Sequence, residues 1–395
     1  MTAKNKIYFY SLFFFTQLVS IRFFLNFNLT KDNPIFYFLT YLLITSIIFF
    51  IFINLKLFIK IIQNQSLFFI SIILFTLFIL YKYPTSIGTE RDDCYLIIIN
   101  NLISLNYPYS TTELGDPCST GLSSLIFYVP VIFYENYFAL TTTLYFLFFY
   151  FLLKKVFNQN ILRFLVYIQM FNLLFLEEAI AGSDFFFISL SYLIGIIYLN
   201  YYFKNQKKSD LFLAFVILYF FYGSRIVFIF LIPLNYILFL LLYDKKKVNN
   251  FFFFQFIISL ITILIPLFFN SSGYHPLHII TKGFFILGLS ETTVMIPILI
   301  AIFVVCLFIF FKSFKHKLSI YNFIKKKIIS LQLGLLTFPL LMIIMVTLYQ
   351  SVRDNNLYSW EGLSYLILIY PSLVFIFSTF FKNENVFNEN FLNKN

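Results

Sequence analysis

Two adjacent carboxylates, Asp92 and Asp93, stand in a polar stretch, Tyr83 to Tyr95, that follows a long apolar run. Paired acids at such a place can act as a general base, one tuned by the charge of the other, or could hold a divalent metal ion. They could equally be a solvated acidic loop, because exposure is the ordinary state of charge. Arg91 precedes the pair and Tyr95 follows at close spacing; then come the apolar stretch 96–105, Tyr107-Pro108-Tyr109, and Glu113-Leu114-Gly115-Asp116-Pro117-Cys118-Ser119. A second acidic group, Glu177-Glu178-Ala179-Ile180-Ala181-Gly182-Ser183-Asp184, opens a later apolar run, where Asp184 could also be a helix N-cap. Arg225, in Tyr222-Gly223-Ser224-Arg225, interrupts a third run. An arginine inside an apolar stretch costs about 3 kcal/mol unless it is paired or wetted, and its planar fork suits two-point capture of a phosphate. His275, His278 and Lys282 share the polar segment 270–291. Pro276 between the two histidines and the lack of a nearby Cys argue against a metal site there. A cationic lining for phosphate and an ordinary polar loop remain the two readings.

The elements that must position these residues are set by composition. The chain has 395 residues, 61% hydrophobic and 11% charged, against about 25% charged in soluble proteins. With a mean hydropathy of +0.87, this excludes an ordinary soluble enzyme and predicts an all-α integral membrane protein. About twelve transmembrane helices are expected, at 7–27, 35–55, 66–82, 137–153, 161–176, 185–203, 206–223, 226–243, 251–269, 292–311, 328–349 and 363–381. Interfacial helices on the outer face complete the reading. Residues 1–382 would form a single polytopic domain and 383–395 a disordered cytoplasmic tail.

The formal charge of +11 is a topology signal, not a nucleic-acid signal. With a cytoplasmic N-terminus, 20 of the 28 Lys and Arg fall on inside segments, at 4–6, 56–60, 154–155, 204–208, 245–247, 312–327 and 382–394. Of the 17 acids, Asp210, Asp244, Glu384 and Glu389 share that side. The outer loops are then 83–119, 177–184, 270–291 and 350–362, the last carrying Arg353, Asp354, Trp360 and Glu361. Trp360 reads as an interfacial anchor. Counting also predicts that 120–134 does not cross, since a crossing would invert every later basic loop; it reads as an interfacial or re-entrant helix. Basic flanks at Lys207/Lys208 and Lys245 to Lys247 require an even number of crossings between them. A tight hairpin with Arg225 at its outer tip satisfies this, and a single kinked helix is the competing reading. Both termini would be cytoplasmic, in a plasma (inner) membrane.

The order of the first polar stretch resembles the first outer loop of GT-C fold glycosyltransferases. The matching residues are Asp92-Asp93-x-Tyr95, Tyr107-Pro108-Tyr109, Gly115-Asp116-Pro117-Cys118-Ser119-Thr120-Gly121, and Pro130 within Phe127-Tyr128-Val129-Pro130. The likeness covers about residues 66–155 and extends beyond them only in layout. It implies a GT-C-like fold, a polyprenyl-phosphate-linked sugar as donor, and a catalytic Asp on this loop, with Asp93 first and Asp92 beside it. The acceptor would be a glycan, lipid or protein, and membrane lipids would surround the chain. Arg225, His275, His278, Lys282, Arg91 and Tyr95 become candidates for the lipid phosphate and substrate. Asp184, Glu178 and Asp116 become candidates for a second acidic site near the acceptor. No nucleotide-binding Gly-rich loop occurs, which argues against a nucleotide-sugar donor.

Cys306 lies within an apolar run and reads as packing. Cys94 and Cys118 share the first outer loop, and if that face is oxidising they could bond and staple it; two free thiols are the alternative. Two other function classes fit a polytopic chain. A polysaccharide polymerase of the O-antigen type would want more outer arginines than stand here. A lipid or oligosaccharide transporter would want intramembrane charges or paired broken helices.

Overall fold

The computed structural model describes residues 3–24, 33–82, 91–110, 118–133, 137–269, 327–344 and 365–380, except 19, 21, 22, 55, 119, 155, 230, 338, 339, 342 and 343. Among the described residues the chain is helical and contains no strand. In order, the helices are α1 (Ala3–Leu18), α2 (Pro34–Asn54), α3 (Lys56–Gln63), α4 (Gln65–Lys82), α5 (Arg91–Ile103), α6 (Tyr137–Leu153), α7 (Gln159–Met170), α8 (Leu173–Ile180), α9 (Phe185–Asn205), α10 (Lys208–Ser224), α11 (Ile226–Ile229), α12 (Leu231–Leu240), α13 (Lys245–Phe269), α14 (Lys327–Thr337) and α15 (Tyr365–Phe380). Four spans, Ile35–Asn54, Gln65–Lys82, Phe185–Asn205 and Lys245–Pro266, are long and apolar enough to cross a bilayer. Ile35, Leu39, Leu43, Ile47 and Ile51 of α2 and Ile70, Ile73, Leu74 and Leu77 of α4 are exposed, a display that suits a hydrocarbon surround rather than water. This is the construction of a helical membrane protein.

The helices gather into two units, the described parts of 1–92, 134–190 and 336–395 in one and of 93–133 and 191–335 in the other. In the first, α1 packs against α2 with Phe13 stacked on Phe49 at 4.0 Å, and Phe9 meets Phe164 of α7 edge-on at 4.4 Å. Arg163 of α7 is buried and donates through Nη1 to the carbonyls of Ile62 (3.0 Å) and Gln63 (2.8 Å), placing a cation on the C-terminal end of α3. The expected straight crossing at 161–176 is instead bent by 70° between α7 and α8. Asn172 is the cause. Its side-chain oxygen accepts from Leu174 and Phe175 N–H as the α8 N-cap, while Nδ2 donates to Thr16 C=O and Ser20 Oγ. A capping residue with these tertiary partners overrides the continuous apolar pattern on either side.

In the second unit the run 208–240 does reverse. Asn235 Nδ2 donates to Tyr222 Oη at 3.2 Å, whereas 13 residues of straight helix would separate them by about 20 Å. Lys247 Nζ donates to Gln206 Oε1 at 2.6 Å, so the two basic ends of the run meet at one end of the unit. Residues 120–134 contain two short 3₁₀ turns, Leu122–Phe127 and Val129–Ile132, rather than a helix. The longer turn advances only about 12 Å, too little to cross a bilayer. Of the expected crossings, 292–311 lies outside the described residues.

Candidate functional site

The site is built by three segments, in the second unit from Asp93 onward, that share small residues and a disulfide. Helix α5 begins at Arg91, so the acidic pair occupies its first turn, where the macrodipole favours negative charge. The side chains of Arg91, Asp92 and Asp93 lie outside the described residues. Immediately after them, Cys94 is bonded to Cys118, with 5.3 Å between Cα atoms. Tyr95 is fully buried, stacks on Tyr128 at 4.1 Å and donates to Ser124 Oγ at 3.0 Å. Ser124 in turn donates to Gly121 C=O at 2.8 Å. The helix carrying the acidic pair is thus fixed covalently to 118 and by packing to 121–128.

The same segment docks on the tip of the 208–240 hairpin. Gly121 N–H donates to Ser224 C=O at 2.7 Å, and Ser123 Oγ donates to Phe220 C=O at 3.3 Å. Phe127 meets Phe220 edge-on at 4.5 Å. A Cβ on Gly121 would collide with the carbonyl oxygen of Gly223, so the two backbones touch where a side chain would keep them apart. Arg225 follows Ser224 in extended conformation as the α10 C-cap and is buried at 8% exposure. Gly121 pairs with Ser224 and Ser123 with Phe220, so the two segments run antiparallel and the 120–121 backbone meets the chain just before Arg225. Tyr109 closes the group, donating its phenol to Thr120 C=O at 2.9 Å. Burial pushes the Tyr109 phenol well above its ordinary value and Tyr107 acts in the same direction, while the positive charge of Arg225 opposes both. Tyr109 is therefore a neutral donor held within the field of the guanidinium.

The remaining candidates fall elsewhere. Glu178 and Asp184 are fully buried in the first unit. The acids at 177–178 belong to α8 and not to a loop, because the helix continues to Ile180 and ends in a Schellman turn. There Ser183 N–H reaches Glu178 C=O and Gly182 takes φ 67°. Asp184 directly precedes α9. Asp116, His275, His278 and Lys282 lie outside the described residues. Among the described residues no group of three or more His, Cys, Asp or Glu could hold a metal ion.

Sequence reasoning named Gly121 and Gly223 only as parts of longer patterns, and did not single out Ser123, Ser124 or Tyr128. Small residues flanking both Thr120 and Arg225 were the available signal, but nothing in either segment names the other. No protein-family model, no curated protein and no solved structure matches this chain.

Proposed function

We propose that the chain is a membrane glycosyltransferase of the GT-C kind, about twelve crossings in a single polytopic domain over 1–382, working on the outer face of the plasma membrane with both termini cytoplasmic. It transfers a sugar from a polyprenyl-phosphate donor to an acceptor hydroxyl. One observation carries this reading: the helix that opens with Asp92-Asp93 is tied through Cys94–Cys118 and Gly121 to the backbone immediately before Arg225. A proton acceptor and a phosphate-binding cation, separated by more than 130 positions in the sequence, are thereby tethered to one framework.

The reaction needs both. Asp93, with Asp92 behind it, takes the proton of the acceptor hydroxyl as that oxygen attacks the anomeric carbon. The bond from that carbon to the phosphate oxygen breaks, and the electron pair leaves with the polyprenyl phosphate. Arg225 stabilises the departing anion in a site that is already desolvated and oriented. A lipid phosphate leaves at headgroup depth, and no nucleotide-binding domain is required.

The test is sugar transfer by the purified full-length chain in liposomes, supplied with labelled polyprenyl-phosphate sugars. Asp93→Asn or Asp92→Asn keeps size and hydrogen bonding but removes the base, and turnover should fall by about 10²- to 10⁴-fold. Arg225→Lys should instead raise the apparent donor KM, because an ammonium cannot reproduce the two-point grip. Wild-type transfer by both Asn variants at normal membrane levels would sink the mechanism.

A further inference from the structure

We infer that the contact between Gly121 and Gly223 is a positioning lock for Arg225, making Gly121 and Gly223 positioning residues for capture of the anionic donor headgroup. The functional half of this inference rests on the glycosyltransferase reading; the structural half does not.

Neither glycine is there for backbone freedom. Gly121 sits at φ −75°, ψ 150°, which any residue adopts, and Gly182 is the one described glycine with positive φ. What both supply is the absence of a Cβ. A methyl on Gly121 meets the Gly223 carbonyl, a backbone obstacle that cannot rotate away. A methyl on Gly223 meets only the side chain of Ser123, its Oγ at 2.5 Å and its Cβ at 2.8 Å. With both positions bare, Gly121 N–H closes on Ser224 C=O at 2.7 Å. Arg225 is the next residue, and its backbone has left the helix. The hydrogen bond to Ser224 therefore fixes the backbone from which the Arg225 side chain departs, and the charge of Arg225 acts on Tyr109, whose phenol is held on Thr120 C=O. A displacement of about 1 Å in a binding group can cost about 10²-fold in an enzymatic reaction, so a single methyl at this contact should matter far more than its volume.

The asymmetry of the two clashes supplies the experiment. Four full-length variants are compared with wild type: Gly223→Ala, Ser123→Gly, the double variant Gly223→Ala/Ser123→Gly, and Gly195→Ala. The last is a control, because its added methyl meets the Leu218 side chain, with Cδ2 at 2.6 Å, and not the lock.

Two readouts are taken. The first is modification of Arg225 by phenylglyoxal, followed by peptide mapping, which needs no substrate. The second is apparent donor KM and kcat with a polyprenyl-phosphate sugar. Gly223→Ala should react several-fold faster at Arg225 and raise donor KM about ten- to a hundredfold with little change in kcat. Ser123→Gly and Gly195→Ala should leave both close to wild type, and the double variant should restore both, because Ser123→Gly removes the atoms the new methyl strikes. If Gly223→Ala does not fold, the double variant is compared with wild type directly: Arg225 reactivity and donor KM close to wild type are expected, and a folded double variant with faster Arg225 modification would overturn the lock. Unchanged Arg225 reactivity in Gly223→Ala, or a double variant as impaired as the single, would overturn the lock. A wild-type chain that uses no polyprenyl-phosphate donor would remove the glycosyltransferase reading, and the phenylglyoxal order would still judge the lock.

Discussion

Tyr109 shows how a single residue can report on the site. Its phenol is buried, donates to Thr120 C=O, and is held above its ordinary value by burial, with Arg225 opposing. For a group whose folded value is raised, the stabilisation is fully present below the unfolded value of about 10 and is lost as pH rises toward the folded one. Tyr109→Phe should therefore cost about 1 kcal/mol at pH 8 through the missing hydrogen bond. The gap between the two proteins should shrink above pH 10, by up to about 1.4 kcal/mol per pH unit for one proton. Melting temperatures in detergent from pH 8 to 11 would check this, and parallel curves would refute it. Cys94 offers a second measurement at the same scale. The bond to Cys118 closes a loop across a separation of 24, which is worth about 3 to 4 kcal/mol on the chain-entropy account. Cys94→Ser should lower the melting temperature accordingly, and alkylation of untreated membranes should leave positions 94 and 118 unmodified in the wild type. The acid pair, the arginine and both cysteines were all legible in the sequence because residue type announces their chemistry. Tyr109 was visible only as part of a Pro-Tyr element, since its hydrogen-bond partner and its charged neighbour come from other segments.

At the scale of elements, the hairpin 208–240 shows the strength and the limit of local reading. Basic residues at both ends require an even number of crossings, and Lys247 does meet Gln206. What holds the arms together could not be read the same way. Asn235 lies buried and donates to Tyr192, Tyr222 and its own helix at Leu231 C=O. Tyr192 continues to Gln332 C=O, and the side chain of Gln332 accepts from Asn200. This seam of amides and phenols links α9, α10, α12 and α14 in a place where apolar packing alone gives little preference between partners. A double-mutant cycle between Asn235→Leu and Tyr222→Phe should give a coupling of about 0.6 to 1.7 kcal/mol in unfolding experiments. No coupling would mean that the arms are held by shape alone. The break at Asn172 teaches the converse lesson. Its periodic surroundings predicted one crossing, and a single capping side chain tied to Thr16 and Ser20 divides it.

For the whole molecule, the testable quantity is sidedness. The charge sorting expects Lys154, Lys207 and Lys246 on the cytoplasmic side and Asp93, Asp184 and His275 on the outer side. Cysteines introduced at these six positions should label in two classes with a membrane-impermeant reagent. Position 154 labelling with position 93 would mean that 120–134 crosses after all, which its two 3₁₀ turns are too short to do. The sequence by itself determined that the chain is helical, apolar and sorted by charge, because helical length, hydropathy and loop charge are properties of neighbours along the chain. Only the tertiary structure decided that Gly121 touches Gly223, that Tyr95 stacks on Tyr128, and that Glu178 and Asp184 are buried. The Gly121–Gly223 pair is set by one backbone hydrogen bond and the absence of two methyl groups about a hundred positions apart. Neither leaves a periodic or compositional trace, because a glycine looks the same in sequence whether it frees a turn or makes room for another backbone.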